Sequence, residues 1–192
     1  MKTEEKIVKM MVEEKKPFSI RKIANKAGIS YRITHTATQR LIEKEIIKKK
    51  IVGKSSSCSL NENYYGIEIY QAEYERASKL LKNKNLKQLY KELSFKLPSA
   101  FFVLLVFGSY AKNKQSKASD IDIMFITPEK KKFEKSIESI LRLLPLKVHC
   151  LVLSEQEFRR MLQSRETNVV KEIINCYVIL YGIENYYKLK TI

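Results

Sequence analysis

The sequence predicts a mixed α/β (α+β) protein, and three observations predict it. Apolar residues recur at helical spacing through residues 3–44, punctuated by a turn glycine at Gly28. From Pro98 onward, short apolar runs of strand type alternate with amphipathic helices. Apolar residues make up 44% of the 192, enough to build packed cores and too many for a globally disordered chain.

The elements follow in order. Ile7, Val8, Met11 and Val12 place one apolar face on a helix over residues 3–14, and Pro17 ends it. Ser19 caps a second helix, Ile20–Ala27, and Gly28 stands at the C′ position, where positive φ is needed. Ser30 caps a third helix, Tyr31 to about Lys44, with Ile33, Ala37 and Leu41 read as its inward stripe. Lys48 to Leu60 reads as two short strands around Gly53-Lys54-Ser55. Ile67–Lys82 and Leu86–Phe95 look helical, split by Asn83-Lys84-Asn85, and no Gly/Ser-rich or Pro-rich tether intervenes.

The second half opens with a strand, Phe101–Phe107, then a polar loop to Ser119 and a second strand, Asp120–Thr127. An amphipathic helix at Lys131–Leu144 leads to a third strand, Leu146–Leu153. Ser154 and Glu157 form a capping box that opens another helix. Val169–Ile174 is helical, Tyr177–Tyr181 a short strand, and Ile183–Leu189 a terminal helix. The expected domains are 1–62, a helical connector with the first helices of the second domain over 63–97, and 98–192.

Charge and apolar run length narrow the class of function. Thirty-seven basic against 21 acidic residues leave a net charge of +16. Residues 1–60 hold 15 basic and 6 acidic residues, so the excess is densest there and points to a polyanionic partner. No apolar run reaches the ~18–20 residues that span a bilayer. Residues 1–16 are charged throughout rather than forming an apolar leader, so a cytoplasmic location without membrane association is expected. Cys58, Cys150 and Cys176 are widely spaced and contain no CxxC pair, which argues against a disulfide framework or a zinc knuckle.

Three helices with a tight glycine turn between the second and third, followed by a basic hairpin, resemble a winged helix-turn-helix domain over about residues 3–60. Ala24, Gly28 and Ile29 stand where that family places a small residue, the turn glycine and a buried aliphatic. Tyr31, Arg32, Thr34, His35, Thr38 and Gln39 then lie away from the Ile33–Ala37–Leu41 stripe, available to base edges. Lys48, Lys49, Lys50 and Lys54 on the hairpin suit phosphates. Double-stranded DNA is the expected partner, with RNA as the rival.

The chemistry-bearing segment is Gly108-Ser109, ten residues, then Asp120-Ile121-Asp122. Aspartates at i and i+2 on a strand share a face and can hold a divalent ion against a triphosphate. Metal there neutralises phosphate charge and aligns an attacking hydroxyl for in-line displacement. A glycine at the preceding turn lets backbone amides approach phosphate, and the serine adds a donor. Phe107-Gly108-Ser109-Tyr110-Ala111-Lys112 and Ala118-Ser119-Asp120-Ile121-Asp122-Ile123 resemble the minimal nucleotidyltransferases of the polymerase-β-like superfamily, over about residues 86–188. The resemblance implies a mixed sheet with flanking helices and a nucleoside triphosphate substrate, ATP first. It also implies Mg²⁺ (or Mn²⁺) on Asp120 and Asp122, with nucleotide contacts from Gly108, Ser109, Lys112 and Ser119.

That family carries a third carboxylate on a later strand, and the matching position here is His149. Strand alternation puts Lys147, His149 and Leu151 on one face, so His149 faces the aspartates if its strand lies beside theirs. Glu155, after the strand, is the rival third ligand. Three functions stay open on these residues. The chain is a DNA-binding nucleotidyltransferase acting on a hydroxyl acceptor, a catalytically degenerate nucleotide-binding regulator, or an antitoxin-like protein with a toxin or a second copy of itself as partner.

Overall fold

The computed structural model describes residues 2–52, 55–97, 99–116 and 119–191. The chain divides into two compact units, Met1–Glu73 and Tyr74–Ile192.

The first unit contains α1 (Thr3–Glu14), α2 (Ile20–Ala27), α3 (Tyr31–Glu43), β1 (Ile47–Val52) and β2 (Ser55–Leu60). Ile7, Val8, Met11 and Val12 are buried on α1, as their spacing requires. Ser19 Oγ accepts from the Lys22 N–H and so satisfies one of the open donors of α2. Gly28 ends that helix at φ +64°, and the Ile29 N–H returns to the Ala24 carbonyl at 3.0 Å. Ser30 holds the N-cap position of α3, but its side chain makes no capping bond. β1 and β2 pair antiparallel, with Lys49 opposite Cys58. Phe18 bridges to Cys58 through two backbone hydrogen bonds, N–H to O at 2.8 Å and O from N–H at 2.7 Å, which ties the α1–α2 connection to the hairpin.

The inward face of α3 differs from the expected one. Thr34, Ala37, Thr38 and Leu41 are its buried residues, while Ile33 is 53% exposed. Thr34 and Thr38, expected to face a ligand, are therefore withdrawn as nucleic-acid contacts. Positions 34, 37, 38 and 41 form an i, i+3, i+4, i+7 stripe that keeps Ala37 and Leu41 and replaces Ile33 with two threonines. Both threonines are fully buried, and their Oγ1 atoms have no hydrogen-bond partner among the described residues.

Helix α4 (Ile67–Leu80) contains the point where the two units divide. Then come α5 (Lys84–Lys96), β3 (Val103–Phe107), α6 (Gly108–Ala111), β4 (Ile121–Thr127) and α7 (Lys130–Leu141). They are followed by β5 (Val148–Ser154), α8 (Glu155–Gln163), α9 (Val169–Ile173), β6 (Val178–Tyr181) and α10 (Ile183–Lys190). The strands form a four-stranded mixed sheet in the order β5-β4-β3-β6. β3 is antiparallel to both β4 and β6, while β4 and β5 are parallel and joined through α7.

Both faces of the sheet are covered. Leu104, Val106, Ile121, Ile123 and Phe125 share a core with Leu86, Leu89 and Leu93 of α5 and Phe133, Ile137 and Ile140 of α7. Val103, Leu105, Met124 and Ile126 share the other core with Phe158, Val170, Ile173, Tyr186 and Leu189. Burial on both faces explains why β3 and most of β4 read as continuous apolar runs rather than alternating ones. The strands begin later than expected: Phe101 precedes β3 and is 74% exposed, and Leu146 precedes β5. The regular helix α7 ends at Leu141, short of the expected Leu144, yet both Leu141 and Leu144 pack against the first core.

Candidate functional site

The residues of the Gly-Ser and Asp-x-Asp segments meet at one end of the mixed sheet. β3 stops at Phe107, which pairs with Asp122. Gly108 then turns the chain into α6 at φ +65°. A Cβ at residue 108 would sit 2.0 Å from Asp122 Oδ2 and 3.0 Å from its Cγ. Glycine is required there on two counts, the left-handed backbone and the carboxylate lying against its α-carbon. The sequence suggested Gly108 only as room for phosphate; the structure adds that it makes room for Asp122.

Asp120 immediately precedes β4 and Asp122 lies within it. β5 runs alongside in parallel with His149 opposite Asp122, and the Ile121 N–H donates to the Lys147 carbonyl at 2.9 Å. The face assignment from strand alternation holds: Val148, Cys150 and Val152 pack with one core and Leu151 and Leu153 with the other. His149 is on the second side, as Asp122 is. Its Nδ1 is 3.3 Å from Asp122 Oδ1 and its Nε2 is 3.6 Å from Asp120 Oδ2. One imidazole thus faces both carboxylates from the position where the resemblance expects an acid. The side chains are 72% exposed for His149, 34% for Asp120 and 25% for Asp122, so the site opens to solvent.

Among the other expected phosphate contacts, Ser109 is half-buried in α6 and its carbonyl accepts from the Lys114 N–H at 2.9 Å. Lys112 caps the C-terminus of α6 and is exposed. Ser119 Oγ accepts from the Ser116 N–H at 2.8 Å, and Asp120 follows directly. Ala118, part of the quoted motif, lies outside the described residues.

Glu155 does not reach this cluster. It opens α8 just after Ser154, which pairs with Thr127 at the opposite end of the β4–β5 ladder. Five residue steps along the strand separate that end from His149, about 16 Å at ~3.3 Å per step. Glu157 is engaged elsewhere: it accepts from the Ser154 N–H at 2.8 Å and from Lys130 Nζ at 2.9 and 3.0 Å. Among the described residues, no group of three or more His, Cys, Asp or Glu side chains is arranged to hold a metal ion. What the site offers is a carboxylate pair facing an imidazole.

In the first unit, Tyr31 is 55% exposed, Arg32 is exposed, and His35 and Gln39 are half-buried. The rings of Tyr31 and His35 are 6.0 Å apart. Lys48, Lys49 and Lys50 are exposed on β1, and Lys54 lies outside the described residues. Lys48 and Lys50 share a side of the hairpin with Ser59 and Ser57, while Lys49 lies on the side of the buried Cys58. Ile33, Thr36 and Arg40 also reach the surface of α3, and no feature of the sequence marks them as a ligand-facing set.

Residues 86–180 match the family model of the nucleotidyltransferase domain, from α5 into β6. The match supports a nucleotidyl-transfer type of function in general, with a nucleoside triphosphate substrate and divalent metal as such domains generally use. No curated protein matches the chain. No helix is long and apolar enough to cross a membrane among the described residues.

The Glu157 carboxyl is held at about 2, below its ordinary 4.5, first by the Ser154 backbone N–H and then by Lys130. Its folded value is depressed, so the stabilisation is complete above 4.5 and is lost as pH falls toward 2. The stability gap between the parent chain and Glu157→Gln should therefore shrink on acidification from about pH 6 to about pH 3. Urea unfolding at several pH values measures it, and a gap that stays constant over that range would contradict the assignment.

Proposed function

We propose that the second unit binds a nucleoside triphosphate, ATP first, with Mg²⁺ or Mn²⁺ on Asp120 and Asp122, and that its nucleotidyl transfer to a hydroxyl acceptor is weak. The observation that carries the reading is the convergence of the two aspartates beside Gly108 at the end of β3, within the segment that matches the nucleotidyltransferase domain. Mg²⁺ is commonly held by one or two carboxylates, with substrate phosphates and water completing its shell. When bound, the ion would neutralise phosphate charge.

The chain's own residues do the rest. Gly108 lets Asp122 lie against the turn. Ser109 offers a hydroxyl at the start of α6, and Lys112 a cation near the phosphates. His149 separates binding from transfer. A neutral imidazole is a poor ligand for Mg²⁺ and brings no negative charge to favour deprotonation of an acceptor hydroxyl. The same observation favours a second reading, a degenerate nucleotide-binding regulator. In both readings the first unit is a winged helix that binds duplex DNA. Tyr31, His35 and Gln39 face the bases, and Arg32, Lys48 and Lys50 meet phosphates, with Lys49 beside them.

Calorimetry with ATP should show binding that requires a divalent ion and vanishes in Asp120→Ala/Asp122→Ala with the fold retained by circular dichroism. Unchanged affinity in that variant removes the site. Label transfer from NTP to candidate acceptors should be weak in the parent chain and should rise on the order of tenfold or more in His149→Asp, since a carboxylate restores charge at the metal. Strong Mg²⁺-dependent turnover by the parent chain, indifferent to His149→Ala, would show that His149 does not limit transfer.

A further inference from the structure

α1 and α3 of the first unit border an open groove of about 590 Å³. Arg32, Thr36 and Arg40 recur along its α3 wall at i, i+4 and i+8, so they form one row, and Lys2 faces them from the start of α1. Ile33, 53% exposed, lines the same groove as an apolar surface next to the row of cations. Glu4 is the acid among these lining residues. It is shared by Arg40 at 3.7 Å and Lys44 at 3.2 Å, which leaves the groove with an excess of positive charge. The Arg32 guanidinium has no ion-pair or hydrogen-bond partner among the described residues. The Thr36 hydroxyl donates back to the Arg32 carbonyl at 3.1 Å and keeps a lone pair toward the groove.

We infer that this groove seats one sugar–phosphate strand of a nucleic acid, beside the hairpin lysines and separate from base reading. Arg32 and Arg40 stand about 12 Å apart along the helix. That span matches three to four nucleotide steps, at about 3.4 Å of axial rise per step in one strand. Guanidinium forks at both ends match phosphate oxygens, and the exposed isoleucine beside the row suits a sugar face better than a carboxylate. The assignment rests on the duplex-binding role proposed for this unit. It gives that role a contact the sequence did not suggest, because Lys2 and Arg40 are far apart in the chain.

The test uses the full-length chain and fluorescence anisotropy on mixed-sequence duplexes over a range of KCl concentrations. Arg32→Ala/Arg40→Ala should bind on the order of tenfold more weakly on every duplex sequence. Its slope of log affinity against log salt should flatten by about 2, at ~0.9 for each phosphate left without its arginine. Ile33→Asp, which keeps both arginines and changes an exposed side chain, should weaken binding in the same sequence-independent way. Lys48→Ala/Lys50→Ala serves as the comparison at the hairpin. Duplex binding that depends on the hairpin lysines but is indifferent to Arg32, Arg40 and Ile33 overturns the groove alone. A parent chain that binds no duplex at any salt overturns the duplex reading, and the groove with it. An oligoglutamate peptide that binds more tightly than DNA through the same arginines assigns the groove to acidic peptide and overturns the proposal.

Discussion

The site in the second unit depends on one close approach, the Asp122 carboxylate lying against the α-carbon of Gly108. A Cβ there would stand 2.0 Å from Asp122 Oδ2, far inside van der Waals distance. Because Phe107 pairs with Asp122, the end of β3 and the start of β4 come together, and the turn after β3 must leave space for the carboxylate. The left-handed backbone of Gly108 provides that turn and starts α6 directly beside the acidic pair. Without the apolar cores on both faces of the sheet this register would not hold. Leu105 and Met124 lie in one core, Val106 and Ile123 in the other, and each pair is matched across the same ladder. A slip of one residue would turn Asp122 into a core and expose its neighbours.

The parallel pairing of β5 adds the second constraint. It sets His149 opposite Asp122 and brings both ring nitrogens toward carboxylate oxygens, at 3.3 and 3.6 Å. The imidazole is far more exposed than either acid and can turn outward at little cost. Asp122 lies within β4 against Gly108, and Asp120 immediately precedes the strand. In the proposed reading the aspartate pair holds an ion that also takes phosphate oxygens, and transfer is weak because an imidazole at residue 149 brings no negative charge.

Much of this is legible in the sequence, and the exceptions have physical causes. The order of helices and strands follows from periodicity, and the face of His149 from two-residue alternation. That β5 lies beside β4 can only be a condition at the level of sequence, since strand order is a tertiary property. Thr34 and Thr38 mislead because a hydroxyl marks threonine as polar, while its methyl group packs as well as an aliphatic one. Phe101 misleads because it continues an apolar run back past the point where the strand begins. Glu155 is a plausible ligand by proximity in sequence, and the length of β5 carries it to the other end of the ladder. The groove between α1 and α3 has no sequence signal, since it joins side chains from residue 2 to residue 40.

The measurement that tests the central claim most directly is paramagnetic line broadening of the ¹⁵N-labelled full-length chain by substoichiometric Mn²⁺ with ATP. The account predicts broadening centred on the amides of residues 108–110, 120–122 and 148–150, where the turn and the two strands meet. The start of α8 should keep sharp resonances. Broadening centred instead on residues 154–158, with sharp signals at Gly108 and Asp122, would contradict it.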